Sequence, residues 1–303
     1  MTARRVLLTT WFASAAAFVP STRLAGVGQR RCATALHPAG RAAFHLAGTA
    51  PHPARRARPL GAQASDADED FFAPDVRTPA RTFGIFGLWA ALIAYVALGA
   101  PGKDAASQAL DNDLLFKLIA NPFDPSCPPL FTVLFNYMGI WPAAYAAVLL
   151  PGADAQKPAP AAPFVLGSIA FGMFALSPYL ALRRYAPGPG IARGGGAVDK
   201  FLESRVVAGF LLGGALGLAA FGATANGGDV GASLAEFKAL FDSQLFVHVT
   251  TLDFCSLWLL FYGPLVEDMR RRGMDTSAAP LFAAVPIFGA ATYLLVRDPL
   301  PEE

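Results

Sequence analysis

The chain has 303 residues, 54% of them hydrophobic and only 15% charged, with a mean hydropathy of +0.42. Soluble domains carry about 25% charged residues, so this composition predicts a membrane protein. Residues 1–65 hold nine of the 24 basic residues and none of the 22 acids, so residues 66–303 carry a net −7, which excludes a basic, nucleic-acid-binding main body.

The first elements are addresses. About residues 1–17 read as a signal peptide: Arg4 and Arg5, an apolar run from Val6, and a small-residue cleavage site at Ala15-Ala16-Ala17. About residues 18–65 are rich in Ala, Arg and Pro, which is transit-peptide composition. The alternative is an ordinary secretory signal followed by a basic linker. An acidic linker over 66–82 opens with Asp66-Ala67-Asp68-Glu69-Asp70 and is expected to be disordered.

Six apolar segments follow in a membrane domain over 83–297: Phe83–Ala100, Leu130–Leu150, Phe164–Leu182, Val206–Ala225, Gln244–Leu265 and Ala278–Val296. Each has the roughly 20 residues a helix needs to cross about 30 Å of hydrocarbon. None alternates with period two, so the expected fold is an all-α, polytopic bundle of about six transmembrane helices, with a short tail at 298–303. With six spans, the first, third and fifth loops (Lys103 and Lys117; Arg183 to Arg205; Arg270–Arg272) carry the larger basic share and should face the compartment of insertion, with both termini on the other side.

A shift of 117 residues lays Asn136 on Asp253, Trp141 on Trp258, Tyr145 on Tyr262, Phe171 on Phe288 and Gly172 on Gly289. Read as a duplication, this gives two halves of three spans. An odd number of spans inverts one half relative to the other, a 3+3 plan used by many carriers. It also predicts that Asn136 and Asp253 meet near a pseudo-two-fold axis.

Asp253 stands inside the fifth segment, where a carboxylate costs about 2.5–3.5 kcal/mol on insertion scales. Thr250 and Ser256 flank it at helical spacing, so Asp253, Asn136, Thr250 and Ser256 form the candidate substrate or ion site. A structural hydrogen bond between helices is the alternative role for Asp253. His248 is the only His after residue 65. That scarcity argues against di-iron, bis-His haem and helical zinc-protease chemistry. His248, Trp141, Trp258, Tyr145 and Tyr262 are the residues that could touch a pigment; no cofactor is implied beyond the option of chlorophyll or lipid. Cys-x-x-Cys, Walker and dinucleotide patterns are absent from the sequence, so no enzyme activity is expected. Gly209, Gly213 and Gly217 recur at four-residue spacing and predict a helix-packing seam. Pro142, Pro178 and Pro286 interrupt the second, third and sixth segments.

Two resemblances extend this. The signal peptide followed by a transit peptide that begins at Phe18 resembles the presequences of secondary, red-lineage plastids. The runs Asn121-Pro122-Phe123-Asp124-Pro125, Phe135-Asn136-Tyr137-Met138-Gly139-Ile140-Trp141-Pro142 and Phe174-Ala175-Leu176-Ser177-Pro178-Tyr179 resemble a family of multi-pass membrane proteins of cyanobacteria and plastids. The second covers about residues 80–300, implies a thylakoid or inner-envelope location, and hands over no catalytic residue. The expectation is a carrier or channel for an ion or small solute. The alternative is a scaffold or assembly factor for photosynthetic complexes, with their subunits as partners besides the lipid bilayer.

Overall fold

The computed structural model describes residues 79–151, 156–157, 159–185 and 196–300, all within one compact unit. The presequence and most of the acidic linker lie outside the described residues. The elements are α1 (Pro79–Leu98), α2 (Ala105–Ala120), α3 (Pro129–Leu149), β1 (Gln156–Lys157), α4 (Ala162–Leu182), β2 (Arg184–Tyr185), α5 (Ala197–Leu202), α6 (Arg205–Thr224), α7 (Val230–Ser243), α8 (Leu245–Arg271), α9 (Ala279–Ala284) and α10 (Phe288–Val296). Five segments are long and apolar enough to cross a membrane: Ala80–Leu98, Pro129–Leu149, Ala162–Leu182, Arg205–Gly228 and Leu245–Arg271. Among the described residues the fold is helical apart from the two-residue strands β1 and β2, and the chain is an integral membrane protein.

Local chemistry explains the boundaries. Asp104 accepts the Ala106 and Ser107 N–H groups at 3.1 and 3.0 Å and so starts α2. Pro129 occupies the first turn of α3, where its missing N–H costs nothing. Ser204 caps α6 and Asp229 caps α7. Helix α1 starts at Pro79, inside the expected linker. Its first turn is tied down by Arg81, which donates to the Arg183 carbonyl at 2.8 Å, and by Thr82, which donates to the Ala181 carbonyl at 3.1 Å.

The third apolar segment is not a straight span. Gly172 breaks α4 with φ 49° and ψ −130°. The rings of Phe164 and Tyr179 stand 5.1 Å apart, where a straight helix would separate those residues by about 22 Å. Its base is closed by β1 and β2, which pair Gln156 with Tyr185 and Lys157 with Arg184. The segment therefore enters and leaves at the same end of the bundle. Pro178 lacks the N–H that would bond the Phe174 carbonyl, and the Trp89 indole of α1 donates to that carbonyl at 3.1 Å instead.

The sixth segment doubles back too. It divides into α9 and α10 around Pro286 and Ile287, the latter at φ 64°. The rings of Phe282 and Tyr293 lie 5.5 Å apart, and Arg272 donates to the Asp298 carbonyl at 2.6 Å, so the chain returns to the end it left. Six and nine residues reach only about 9 and 14 Å, too short for a span. The tail at Asp298 is part of this contact, not a free end.

Helices α3 and α8 run parallel in the centre. Their ring contacts advance together: Phe131 with Phe246, Tyr137 with Phe254, Tyr145 with Phe261. Inverted halves would set equivalent helices antiparallel, so the inverted-repeat expectation is corrected. Each half has two spans (α1 and α3; α6 and α8), a helix between them (α2; α7) and a hairpin (α4; α9–α10). An even number of spans keeps both halves in the same orientation. The same geometry corrects the basic loops. Arg81, Arg183, Arg272 and Arg297 gather at one end, whereas Lys103, Lys117 and Lys238 belong to the other, where α2 and α7 lie.

Candidate functional site

Asp253 lies about 12 Å along α8 and is 8% exposed. Its Oδ1 accepts the Met173 N–H at 2.7 Å. Met173 is the first residue after the break in α4, so the carboxylate caps the half-helix that restarts there. Such a helix start offers unsatisfied N–H groups and a positive partial charge. Gly172 is required twice over. Its backbone is left-handed, and a Cβ would overlap the Asp253 carboxylate.

Asn136 does not meet Asp253. Its amide donates to the Pro122 and Thr132 carbonyls, both at 2.8 Å. The reason is the parallel two-fold relation. Tyr137 and Phe254 occupy the contact between α3 and α8, so the residues preceding them turn away on opposite sides. Ser256 donates to the Leu252 carbonyl of its own helix at 2.8 Å. Thr250 is half-buried on α8. The four residues therefore do not line a single polar cavity.

The aromatic candidates are packing and hydrogen-bonding groups. Trp141 is 1% exposed and touches Tyr145, Phe254 and Phe261. Tyr145 donates to the Leu257 carbonyl at 2.7 Å, and Trp258 donates to the Ala283 carbonyl of the second hairpin at 2.6 Å. Tyr262 is half-buried on α8. Both ring nitrogens of His248 are engaged: Nδ1 with the Phe241 carbonyl at 2.8 Å and Nε2 with the Tyr95 hydroxyl at 2.9 Å. A carbonyl only accepts, so Nδ1 carries the proton and Nε2 accepts from Tyr95. That leaves no lone pair for a metal or a pigment.

The packing seam on α6 is corrected as well. A Cβ on Gly209, Gly213 or Gly217 would meet nothing within 4 Å, so these glycines face outward. The close approach is at Gly222, where a Cβ would come to 3.0 Å of Val133.

One cluster escaped the sequence reading. Glu267 and Asp268, which lie beyond the fifth apolar segment at Gln244–Leu265, are inside α8 and 1% and 0% exposed. Arg183 pairs with Glu267 at 2.6 Å. Asp268 faces Arg271 at 3.2 Å, Arg272 at 2.9 Å and Arg297 at 3.0 Å, and accepts from the Tyr293 hydroxyl at 2.8 Å. Glu203 bridges Arg272 and Arg297 at 2.7 and 3.0 Å. Arg271 and Arg297 also donate to the Val148 and Ala147 carbonyls of α3, each at 2.8 Å. Buried charges persist only when paired, and this network joins the two halves at the arginine-rich end. Its signal in the sequence is the density of charge at Glu267-Asp268 and Arg270–Arg272, with Arg297 closing the sixth apolar segment.

Among the described residues no group of three His, Cys, Asp or Glu side chains is placed to hold a metal ion. No family model, curated protein or solved structure matches the chain. The fold and its charged end define the class: an integral membrane protein of paired spans and re-entrant hairpins.

Proposed function

We propose that the protein is a non-enzymatic carrier or channel for an ion or small solute in a plastid membrane. The observation that carries this is the broken helix α4, with its apex held by a buried carboxylate at Asp253. Non-helical backbone at membrane depth is tolerated where it is buried in protein or lines a water path. Discontinuous half-helices are a common substrate-site device in transporters. The plastid part rests on the composition of residues 1–65. Orientation follows the basic residues: the end with Arg183, Arg270–Arg272 and Arg297 faces the compartment of insertion, the stroma in a plastid.

The test is flux. The full chain reconstituted in liposomes is screened with monovalent cations, inorganic anions and small carboxylates. Flux of one class above empty liposomes, weakened by Asp253→Asn, is expected. Absence of flux across the panel would count against transport.

A second reading is an assembly or scaffold factor, favoured by the outward glycine face of α6 at Gly213 and Gly217. Under it, the protein purified from native membranes carries stoichiometric photosynthetic subunits.

A further inference from the structure

We infer that Asp253 is a proton-operated latch on the apex of α4, which makes the proton the coupling ion of the proposed carrier. This rests on the carrier reading for its use in transport, although the latch itself is a property of the fold.

The geometry has three parts. First, α4 has a hinge: Gly172 sits at a φ of 49° that L side chains rarely adopt, and two half-helices fold back around it. Second, one side chain from another helix holds that hinge, through Asp253 Oδ1 and the Met173 N–H at 2.7 Å. Third, the holding group is buried without a cation. Among the described residues no Arg, Lys or His side chain hydrogen-bonds or ion-pairs with Asp253.

The ionisable neighbours are accounted for element by element. On α8, His248 is committed to Tyr95 and Phe241, and Cys255 is exposed. On α3, Tyr145 spends its hydroxyl on the Leu257 carbonyl. On α4, Tyr179 is two turns beyond Met173, and Arg183 is held by Glu267. On α1, Trp89 supports the half-helix through the Phe174 carbonyl and brings no charge. Among the described residues, the ionised form of Asp253 therefore loses hydration by burial and gains from the half-helix start.

Those two effects act on different states of the latch. An ionised carboxylate makes a charge-assisted bond to Met173 N–H and complements the half-helix dipole. A protonated carboxyl accepts the same N–H only as a neutral acceptor, which weakens the bond, and it loses the attraction to the half-helix start. With the carboxyl staying buried as the apex moves, taking up a proton at Asp253 thus loosens the clasp, and giving it up tightens it again. The proton is added to and removed from the carboxyl oxygen, with no other bond broken.

The test is hydrogen–deuterium exchange of the α4 apex in the full chain, in lipid nanodiscs without any solute. Rates are corrected for the intrinsic pH dependence of exchange, and α3 serves as the internal reference. Protection of the Met173 amide should fall about tenfold from about pH 8 to about pH 5. In Asp253→Asn the apex should be weakly protected at every pH. A flat wild-type profile would overturn the latch, and the wild-type series decides this even if the variant misfolds. A pH-dependent apex in a chain that moves no solute retires transport and leaves the latch standing. Flux with a flat apex retires the latch alone.

Discussion

Tyr137 and Phe254 stack with ring centroids 6.4 Å apart, at a sequence separation of 117 residues. The same separation relates Gly172 to Gly289, the glycines at the turns of the two hairpins. Equivalent residues touch where they approach a two-fold axis, and the neighbouring contacts Phe131–Phe246 and Tyr145–Phe261 advance in the same direction on α3 and α8, so that axis runs along the bundle. Together these contacts fix the relation between the halves as parallel. It also explains why Asn136 and Asp253 face opposite sides.

Substitution at glycine should sort by position. Gly172→Ala forces a Cβ into the Asp253 carboxylate and strains a positive φ, and should cost about 3 kcal/mol. Gly213→Ala meets open space and should be neutral or slightly stabilising through helix propensity. Thermal unfolding in detergent measures both. Equal losses would mean that α6 does pack on its glycine face.

Much of the fold was legible, and the exceptions share a cause. Composition and segment length identified the helices, because hydrocarbon thickness sets a length that sequence reports directly. They could not tell a span from a hairpin, since both are about 20 apolar residues. The distinguishing residues were in view: Gly172 and Gly289 after Phe171 and Phe288, with Pro178 and Pro286 nearby. Their effect depends on what covers the broken backbone, such as Trp89 over the Phe174 carbonyl, and that is a tertiary fact. Asp253 was legible as a buried carboxylate, but its partner is a backbone N–H, which has no sequence signature. Glu267 and Asp268 fall outside the apolar segment Gln244–Leu265, and only their pairing with Arg183, Arg272 and Arg297 makes their burial tolerable.

Docking of α2 should depend on pH. Asp111 accepts the Phe246 N–H at 3.1 Å at the start of α8. With its amide nitrogen turned inward, Gln244 donates to Asp111 at 2.9 Å. Burial pushes the carboxyl up to about 6 from an ordinary 3.8, against the pull of the Phe246 and Leu245 N–H groups. A raised folded value means that the folded chain holds the proton more tightly. The extra stability is full below about pH 3.8 and is lost as pH rises through about 6. The change should be on the order of 1–2 kcal/mol. Amide exchange in α2 should therefore quicken between about pH 4 and about pH 7 beyond the intrinsic trend, and Asp111→Asn should abolish that excess.

The buried ionic network should be intolerant of partial removal. Asp268→Asn leaves three guanidinium groups short of their shared anion and should cost about 3–5 kcal/mol. Lys117→Ala breaks an exposed pair with Asp113, formed at 2.8 Å, and should change stability by about 0.5 kcal/mol or less. Unfolding midpoints of the two variants make the comparison. A small effect at Asp268 would show that the network does not hold the halves together.

The central structural claim is that the third apolar segment is a hairpin whose ends lie on one side of the membrane. Single cysteines at Lys157 and Arg184, the paired residues at its base, are introduced into a chain freed of its native cysteines. Each is probed with a membrane-impermeant maleimide in vesicles of known orientation. Labelling of both from the same side is the predicted result. Labelling from opposite sides would make Ala162–Leu182 a true span and contradict the account.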